Sequence, residues 1–162
     1  MKITSNNFKN EGVIPSKYTC DGEDLIPHLE IDDIPENAKS LVLIMDDPDI
    51  PDFVKQSKGI EVFDHWIVFN MEPQDRNEDG LGRLVIEEGV EPEGVKGVNS
   101  AGKIGYMGPC PPDKEHRYFF KVFALSSTLE LPEGVTSTQV EKAMDGLVLE
   151  KAELVASYER IS

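Results

Sequence analysis

A chain of 162 residues has the length of one domain, and its 39% hydrophobic and 29% charged residues exclude a disordered protein. The formal net charge of −15 at pH 7 disfavours nucleic acid and acidic membranes as partners, because both are polyanions. The longest apolar run, residues 41–45, is far shorter than the roughly 20 residues that span a bilayer, and no signal-peptide core follows Met1. We therefore expect one cytoplasmic domain over residues 1–162, without a transmembrane segment.

Eleven prolines and thirteen glycines divide the chain into short segments, which is typical of a β-sandwich or barrel. Three segments rich in β-branched or aromatic residues are predicted to be central strands: residues 40–46, 63–70 and 116–125. The connections at residues 48–61 and 72–112 are too long for simple hairpins. We expect Greek-key crossings or functional loops there.

The C-terminal region is predicted to contain one helix. The apolar residues that recur there at helical spacing are Val140, Ala143, Met144 and Leu147. Thr138 and Glu141 are placed as a capping box, and Gly146 as a terminator. Apolar and polar residues then alternate over residues 152–158, which predicts a closing strand, with a second helix as the alternative.

Carboxylates emerge at the end of the first predicted central strand, in Asp46-Asp47-Pro48-Asp49-Ile50-Pro51. The prolines stiffen this exit, so a side chain there can be held in place. The alternative interpretation is an Asp/Pro turn whose carboxylates are solvated.

Two histidines begin the other two central strands. Period-two alternation predicts that His65 shares a sheet face with Ile67 and Phe69, and that His116 shares one with Tyr118. A histidine at the start of an apolar stripe is either a hydrogen-bonded core residue or a ligand-binding residue. Because the two histidines occupy equivalent strand ends, we expect them to line one pocket.

A loop rich in glycine and proline precedes His116: Gly105-Tyr106-Met107-Gly108-Pro109-Cys110-Pro111-Pro112. Its glycines allow the backbone to approach a ligand, and its prolines fix its path. No Gly-Lys-Ser/Thr follows, so it is not a phosphate-binding P-loop.

Together these segments resemble a phosphatidylethanolamine-binding protein, in the bacterial and archaeal branch that is called Raf-kinase-inhibitor-like. The resemblance rests on residues 47–51, Asp64-His65-Trp66, the loop at residues 105–112 and His116-Arg117-Tyr118. Residues 20–24 and Pro27-His28-Leu29 extend it over nearly the whole chain. The chain departs from the family pattern at Ile26, Ile31 and Lys114, where serine, tryptophan and glycine are usual.

This resemblance implies a mainly β fold, a Greek-key antiparallel β-sandwich to which the predicted C-terminal helix is added, and a pocket for an anion. The residues on the family's pocket positions are Asp47, His65, Gly108, His116 and Tyr118, with Asp49 and Pro51 shaping its rim.

We therefore expect a small binding protein whose pocket holds an anionic, phosphate-bearing ligand. Regulation of a kinase or protease is implied by the resemblance. Two alternatives stay open: a loop-borne inhibitor that uses residues 48–61, with an unused pocket, and a metal or acid–base hydrolase that uses Asp47, His65 and His116. We expect no cofactor, and the oligomeric state is open, a homodimer included.

Cys20 and Cys110 are far apart in sequence and form no metal-binding pattern. Two buried thiols is one interpretation for an intracellular protein, and a disulfide or a redox pair is the other. Both cysteines flank motifs that belong to the pocket region of the family. The resemblance therefore implies that they lie close enough to form a disulfide.

Overall fold

The computed structural model describes residues 1–161 and consists mainly of strands. The strands are β1 (Lys2–Thr4), β2 (Gly12–Val13), β3 (Leu29–Ile34), β4 (Ser40–Asp47), β5 (Phe63–Met71), β6 (Asp75–Arg76), β7 (Gly82–Ile86), β8 (Val95–Lys96), β9 (His116–Leu125) and β10 (Val148–Tyr158). The helices are a 3-10 turn (Ser16–Tyr18), α1 (Asp52–Lys58) and α2 (Ser137–Met144). None of the helices in this part of the chain is long and apolar enough to cross a membrane.

The strands form two sheets. One has the order β1-β3-β7-β6, and the other has the order β2-β10-β9-β4-β5-β8. The three predicted central strands are confirmed as β9, β4 and β5, which are neighbours in the middle of the larger sheet. All pairs are antiparallel except β2 with β10. The mainly β fold is therefore confirmed, and the strand order is compatible with Greek-key connections.

Two apolar clusters hold these layers together. The first lies between the sheets and contains Trp66 and Val68 of β5. The second contains Ile67 and Phe69 of the same strand and packs beneath α2. Successive side chains of a strand point to opposite faces, so β5 contributes to both clusters. The larger sheet is thus covered on one face by the smaller sheet and on the other by α2.

The C-terminal predictions hold in outline. Residues 152–158 belong to β10, which pairs antiparallel with β9 from Val148↔Leu125 to Tyr158↔His116, so the second-helix alternative is wrong. The helix itself is α2, but its capping box is formed by Thr136 and Gln139 rather than by the predicted Thr138 and Glu141. The cap lies two residues earlier because Ser137 already has a helical conformation.

The connection at residues 48–61 contains α1 and is not a Greek-key crossing, because β4 and β5, which it joins, are hydrogen-bonded neighbours. Sequence periodicity missed α1 because the helix buries no residue and therefore has no apolar stripe. Its ends do carry local signals: Asp52 lies in the first turn and Gly59 forms a left-handed C-cap with φ 66°. The connection at residues 72–112 passes through the smaller sheet as β6 and β7 and returns as β8.

Candidate ligand-binding site

A cavity of about 230 Å³ lies where β4 ends and where β5 and β9 begin. Because β4 runs antiparallel to both neighbours, its C-terminal end meets their N-terminal ends. This pairing brings together three segments that are distant in sequence. The residues that line the cavity are Asp47, Ile50, Pro51, Val54, Lys58, Phe63, His65, Met107, Cys110, Pro111, Pro112, His116 and Tyr118.

His65 reaches the cavity because β5 contains a β-bulge. Met45 pairs with Trp66 but Asp46 pairs with Asp64, which leaves His65 as an extra residue. The predicted common face of His65 with Ile67 and Phe69 is therefore wrong. Those two residues pack beneath α2, whereas the His65 ring lies edge-on to Tyr118 with 5.3 Å between ring centroids.

Regular alternation would point the side chain of His65 toward α2. Because of the bulge, the side chain of Asp64 points there instead. The hydroxyl of Ser137, in the first turn of α2, donates to Oδ2 of Asp64 at 2.6 Å. The bulge therefore separates the two side chains, with Asp64 on the helix side and His65 at the cavity.

His116 is fully buried and lies between two carboxylates. Its Nδ1 is 2.7 Å from Oδ2 of Asp47, and its Nε2 is 2.6 Å from Oδ1 of Asp113. Ionised carboxylates only accept hydrogen bonds, so when both carboxylates are ionised each ring nitrogen carries a proton and donates to the carboxylate beside it. In that state His116 is an imidazolium between two carboxylates.

The two carboxylates differ in their surroundings. Burial raises the pKa of Asp47, and the hydrogen bond from His116 opposes that rise. The side chain of Asp113 is 39% exposed, and the hydrogen bond from His116 lowers its pKa. Asp47 is thus a fixed partner inside the protein, whereas Asp113 approaches His116 from the solvent side.

His65 offers a different chemistry. Its Nδ1 lies 2.7 Å from the carbonyl oxygen of Met107, so Nδ1 must donate. Burial lowers the pKa of His65 to about 4, and the ring is therefore neutral at pH 7. In that tautomer Nε2 keeps its lone pair, and His65 can accept a hydrogen bond but cannot act as a second cation.

Asp49 does not line the cavity but braces the segment that does. Its backbone N–H donates to Oδ1 of Asp47 at 2.7 Å, and its carboxylate accepts from Nε and the backbone N–H of Arg117 at 2.8 and 2.9 Å. The hydrogen bond from the Arg117 side chain is the main reason that the pKa of Asp49 falls to about 2. Asp49 thereby joins the end of β4 to the start of β9.

Gly108 also lies outside the cavity lining, at a close approach between two loops. Its N–H donates to Oδ1 of Asp24 at 3.0 Å, and a Cβ at this position would overlap that oxygen and the carbonyl oxygen of Tyr18. The same two loops are joined by a disulfide between Cys20 and Cys110, with the Cα atoms 5.5 Å apart. The cavity wall at residues 105–112 is therefore fixed to the N-terminal loop.

Tyr118 contributes a buried hydroxyl. Its oxygen has no hydrogen-bond partner within the usual distance among residues 1–161, and burial raises the pKa of the phenol well above its ordinary value. The group therefore stays protonated and is a potential donor in the cavity wall.

The cavity contains residues that sequence reasoning did not select. Ile50 lies in the 48–61 connection, Val54 and Lys58 lie in α1, whose position no periodicity revealed, and Phe63 begins β5. Asp113 contacts His116 from outside this lining, in the loop before β9, and no motif marks it. The only sequence signal for the contact of Asp113 with His116 is that the two residues are three positions apart. A solvated carboxylate in a loop could have the same spacing.

Two other observations limit the chemistry. Within residues 1–161, no group of three His, Cys, Asp or Glu side chains is placed to hold a metal ion. A larger cavity, of about 510 Å³, is lined by Glu72, Glu87, Glu91 and Glu93 and contains none of the predicted site residues. It offers carboxylates but no cation, and an anion would be repelled there.

Comparison with known proteins gives a consistent assignment. The family model described as "Phosphatidylethanolamine-binding protein" matches residues 4–159. UPF0098 proteins of Methanothermobacter thermautotrophicus and Chlamydia trachomatis are each 44% identical, over 99% of both chains.

Two crystal structures share the fold. A phosphatidylethanolamine-binding protein homologue from Chlamydia trachomatis matches with a TM-score of 0.87 at 43% identity, over 98% of this chain and 97% of that one. YbcL of Escherichia coli, described as a member of the mammalian family, matches with a TM-score of 0.80 at 26% identity, over 98% of each chain.

Proposed function

The chain belongs to the phosphatidylethanolamine-binding protein family, and from this premise we propose that its cavity binds a small ligand through a phosphate or similar oxyanion. The observation that carries the proposal is the contact of His116 with Asp113. A buried imidazolium turns one N–H toward the solvent side, and a carboxylate accepts it. An anionic oxygen of a ligand would make the same charge-assisted hydrogen bond.

The local charge supports an anion despite the acidity of the chain. Asp47 is already bonded to His116, and Asp49 is already bonded to Arg117. Lys58 adds a second cationic group to the cavity lining. At physiological salt, charges farther than about 8 to 10 Å are screened, so these near groups decide the binding.

The rest of the lining suits a small ligand with an apolar part. Ile50, Val54, Phe63 and Met107 supply apolar side chains, and two prolines give a rigid edge. The volume of about 230 Å³ is below the roughly 300 to 1,000 Å³ of most drug-sized pockets. A head-group-sized molecule fits this volume better than a nucleotide.

The test is calorimetric titration with inorganic phosphate and with O-phosphoethanolamine. His116→Gln removes the imidazolium and should weaken binding about tenfold or more, since a hydrogen bond between charged groups is worth roughly 1.5 to 3 kcal/mol. His28→Gln is the matched control, because His28 is also buried but bonds Asn6 and does not line the cavity. Equal affinities in the wild type and the His116→Gln variant would contradict the proposal.

A second candidate is an inhibitor of a kinase or protease that acts through residues 48–61. The observation in its favour is that α1 buries none of its residues and leaves Phe53 65% exposed. Phe53→Ala should then abolish capture of a kinase or protease, whereas His116→Gln should not. The reverse result would favour the cavity as the working site.

The hydrolase alternative has less support. Both nitrogens of His116 are bonded to carboxylates, and His65 donates its Nδ1 proton to a carbonyl.

A cytoplasmic location and a homodimer stay predictions. The Cys20–Cys110 disulfide argues against the first, because such bonds are rare in a reducing compartment.

A further inference from the structure

We infer that Asp113 is an internal competitor for the oxyanion position on His116, so that an external anion binds only by displacing it. The inference rests on the proposed function, since it concerns the same N–H group. The Oδ1 of Asp113 lies 2.6 Å from Nε2 of His116, which is the distance of a charge-assisted hydrogen bond.

The surroundings of the two residues favour exchange. His116 has no exposed surface, whereas the Asp113 side chain is 39% exposed. Asp113, Lys114 and Glu115 are all exposed, and Asp113 has no other side-chain partner among residues 1–161 than His116. The carboxylate can therefore turn into water without breaking another side-chain contact.

Exchange also leaves both N–H groups of the buried His116 ring hydrogen-bonded. A buried N–H that loses its acceptor is destabilising, so His116 needs a partner at Nε2 when no ligand is bound. Asp113 supplies that acceptor. A phosphate oxygen replaces it with another anionic acceptor, while Asp47 stays on Nδ1.

The consequence is a reduced apparent affinity for every oxyanion. If only a fraction of the molecules has Nε2 of His116 free, the dissociation constant rises by the inverse of that fraction, whichever anion is bound. Asp113 would thus set the threshold concentration at which the cavity fills. Removing it should tighten binding of phosphate and of sulfate by similar factors.

The experiment compares Asp113→Ala and Asp113→Asn with the wild type in titrations with inorganic phosphate and sulfate. We expect about threefold or greater tightening for Asp113→Ala and a smaller gain for Asp113→Asn, whose amide oxygen still accepts. Glu115→Gln is the matched control: it removes one negative charge from an exposed neighbour that makes no side-chain hydrogen bond or ion pair among residues 1–161. It should leave both affinities nearly unchanged.

His116→Gln supplies the second arm. In the His116→Gln background, adding Asp113→Ala should no longer tighten phosphate binding. The N–H at Nε2 of His116, for which Asp113 and phosphate compete, is absent there. If the wild type binds phosphate through His116 and Asp113→Ala has the same affinity, the competitor role is wrong while the proposed function stands. If phosphate binds neither the wild type nor Asp113→Ala, the competitor role and the proposed function are both wrong. They are also both wrong if phosphate binds the His116→Gln variant as tightly as the wild type.

Discussion

Nδ1 of His116 lies 2.7 Å from Oδ2 of Asp47, although the two residues are 69 positions apart in the chain. Both side chains are buried, Asp47 with 2% and His116 with 0% of its surface exposed. The pair exists because β4 and β9 are hydrogen-bonded neighbours that run in opposite directions. The contact therefore links the architecture of the larger sheet to the chemistry of the cavity.

Asp47→Asn should lower the free energy of unfolding by about 3 kcal/mol, because removing one partner of a buried ion pair leaves the other charge without compensation. Urea unfolding measures this change. Asp113→Asn is the comparison, since it alters the other side of the same imidazole at an exposed residue and should cost much less. Equal losses from the two substitutions would show that Asp47 holds no special place in the site.

The buried, neutral His65 should make stability fall as the pH decreases. Its folded pKa of about 4 lies below the unfolded reference of about 6.5, so between these values the unfolded chain binds a proton that the folded chain does not. Stability is therefore full above pH 6.5 and is lost as the pH falls toward 4, by roughly 3 kcal/mol for this group.

The measurement compares the pH dependence of urea unfolding in the wild type and in His65→Asn. The asparagine amide can still donate toward the Met107 carbonyl but does not titrate. The variant curve should be flatter between about pH 4 and 6.5. Parallel curves would mean that His65 is solvated in the folded protein.

The Cys20–Cys110 disulfide closes a sequence separation of 90 residues. The Cys20→Ser/Cys110→Ser double variant should lose about 2 to 5 kcal/mol of unfolding free energy, because a long unfolded loop is released. The wild type under a reducing agent is the control and should match the variant. If the reducing agent changes nothing, the bond is not formed in solution.

The sequence predicts the central strands well because β-branched and aromatic residues concentrate in segments 40–46, 63–70 and 116–125. That Asp47 and His116 share a pocket is implied by the resemblance to the family rather than by the strand pattern. The bulge at His65 could not be predicted, because a bulge depends on the register between β4 and β5 rather than on either strand alone.

Two features of the site lacked a usable sequence signal. The helix α1 buries no side chain, so it has no apolar stripe, and only its end residues indicate it. Asp113 is an acidic residue in an exposed loop, where carboxylates are usually solvated. Its contact with His116 depends on the path of the loop before β9, which no pattern in residues 111–116 specifies.

Gly108→Ala tests whether the loop at residues 105–112 must approach the N-terminal loop closely. The added methyl group would overlap Oδ1 of Asp24 and the carbonyl oxygen of Tyr18, and backbone atoms cannot move aside as easily as a side chain. We expect a loss of about 1 to 3 kcal/mol in unfolding free energy, together with weaker phosphate binding, because the same loop carries Met107 and Cys110 into the cavity.

Gly102→Ala separates this effect from the general cost of replacing a glycine. Gly102 has a φ of 80°, and among residues 1–161 no heavy atom apart from those of Gly102 and its two chain neighbours lies within 4 Å of the point that a Cβ would occupy, so alanine there meets backbone strain but no overlap. It should cost about 1 kcal/mol and leave phosphate affinity unchanged. If Gly108→Ala behaves in the same way, the loops are not held by close contact, and the cavity wall must be fixed by the disulfide alone.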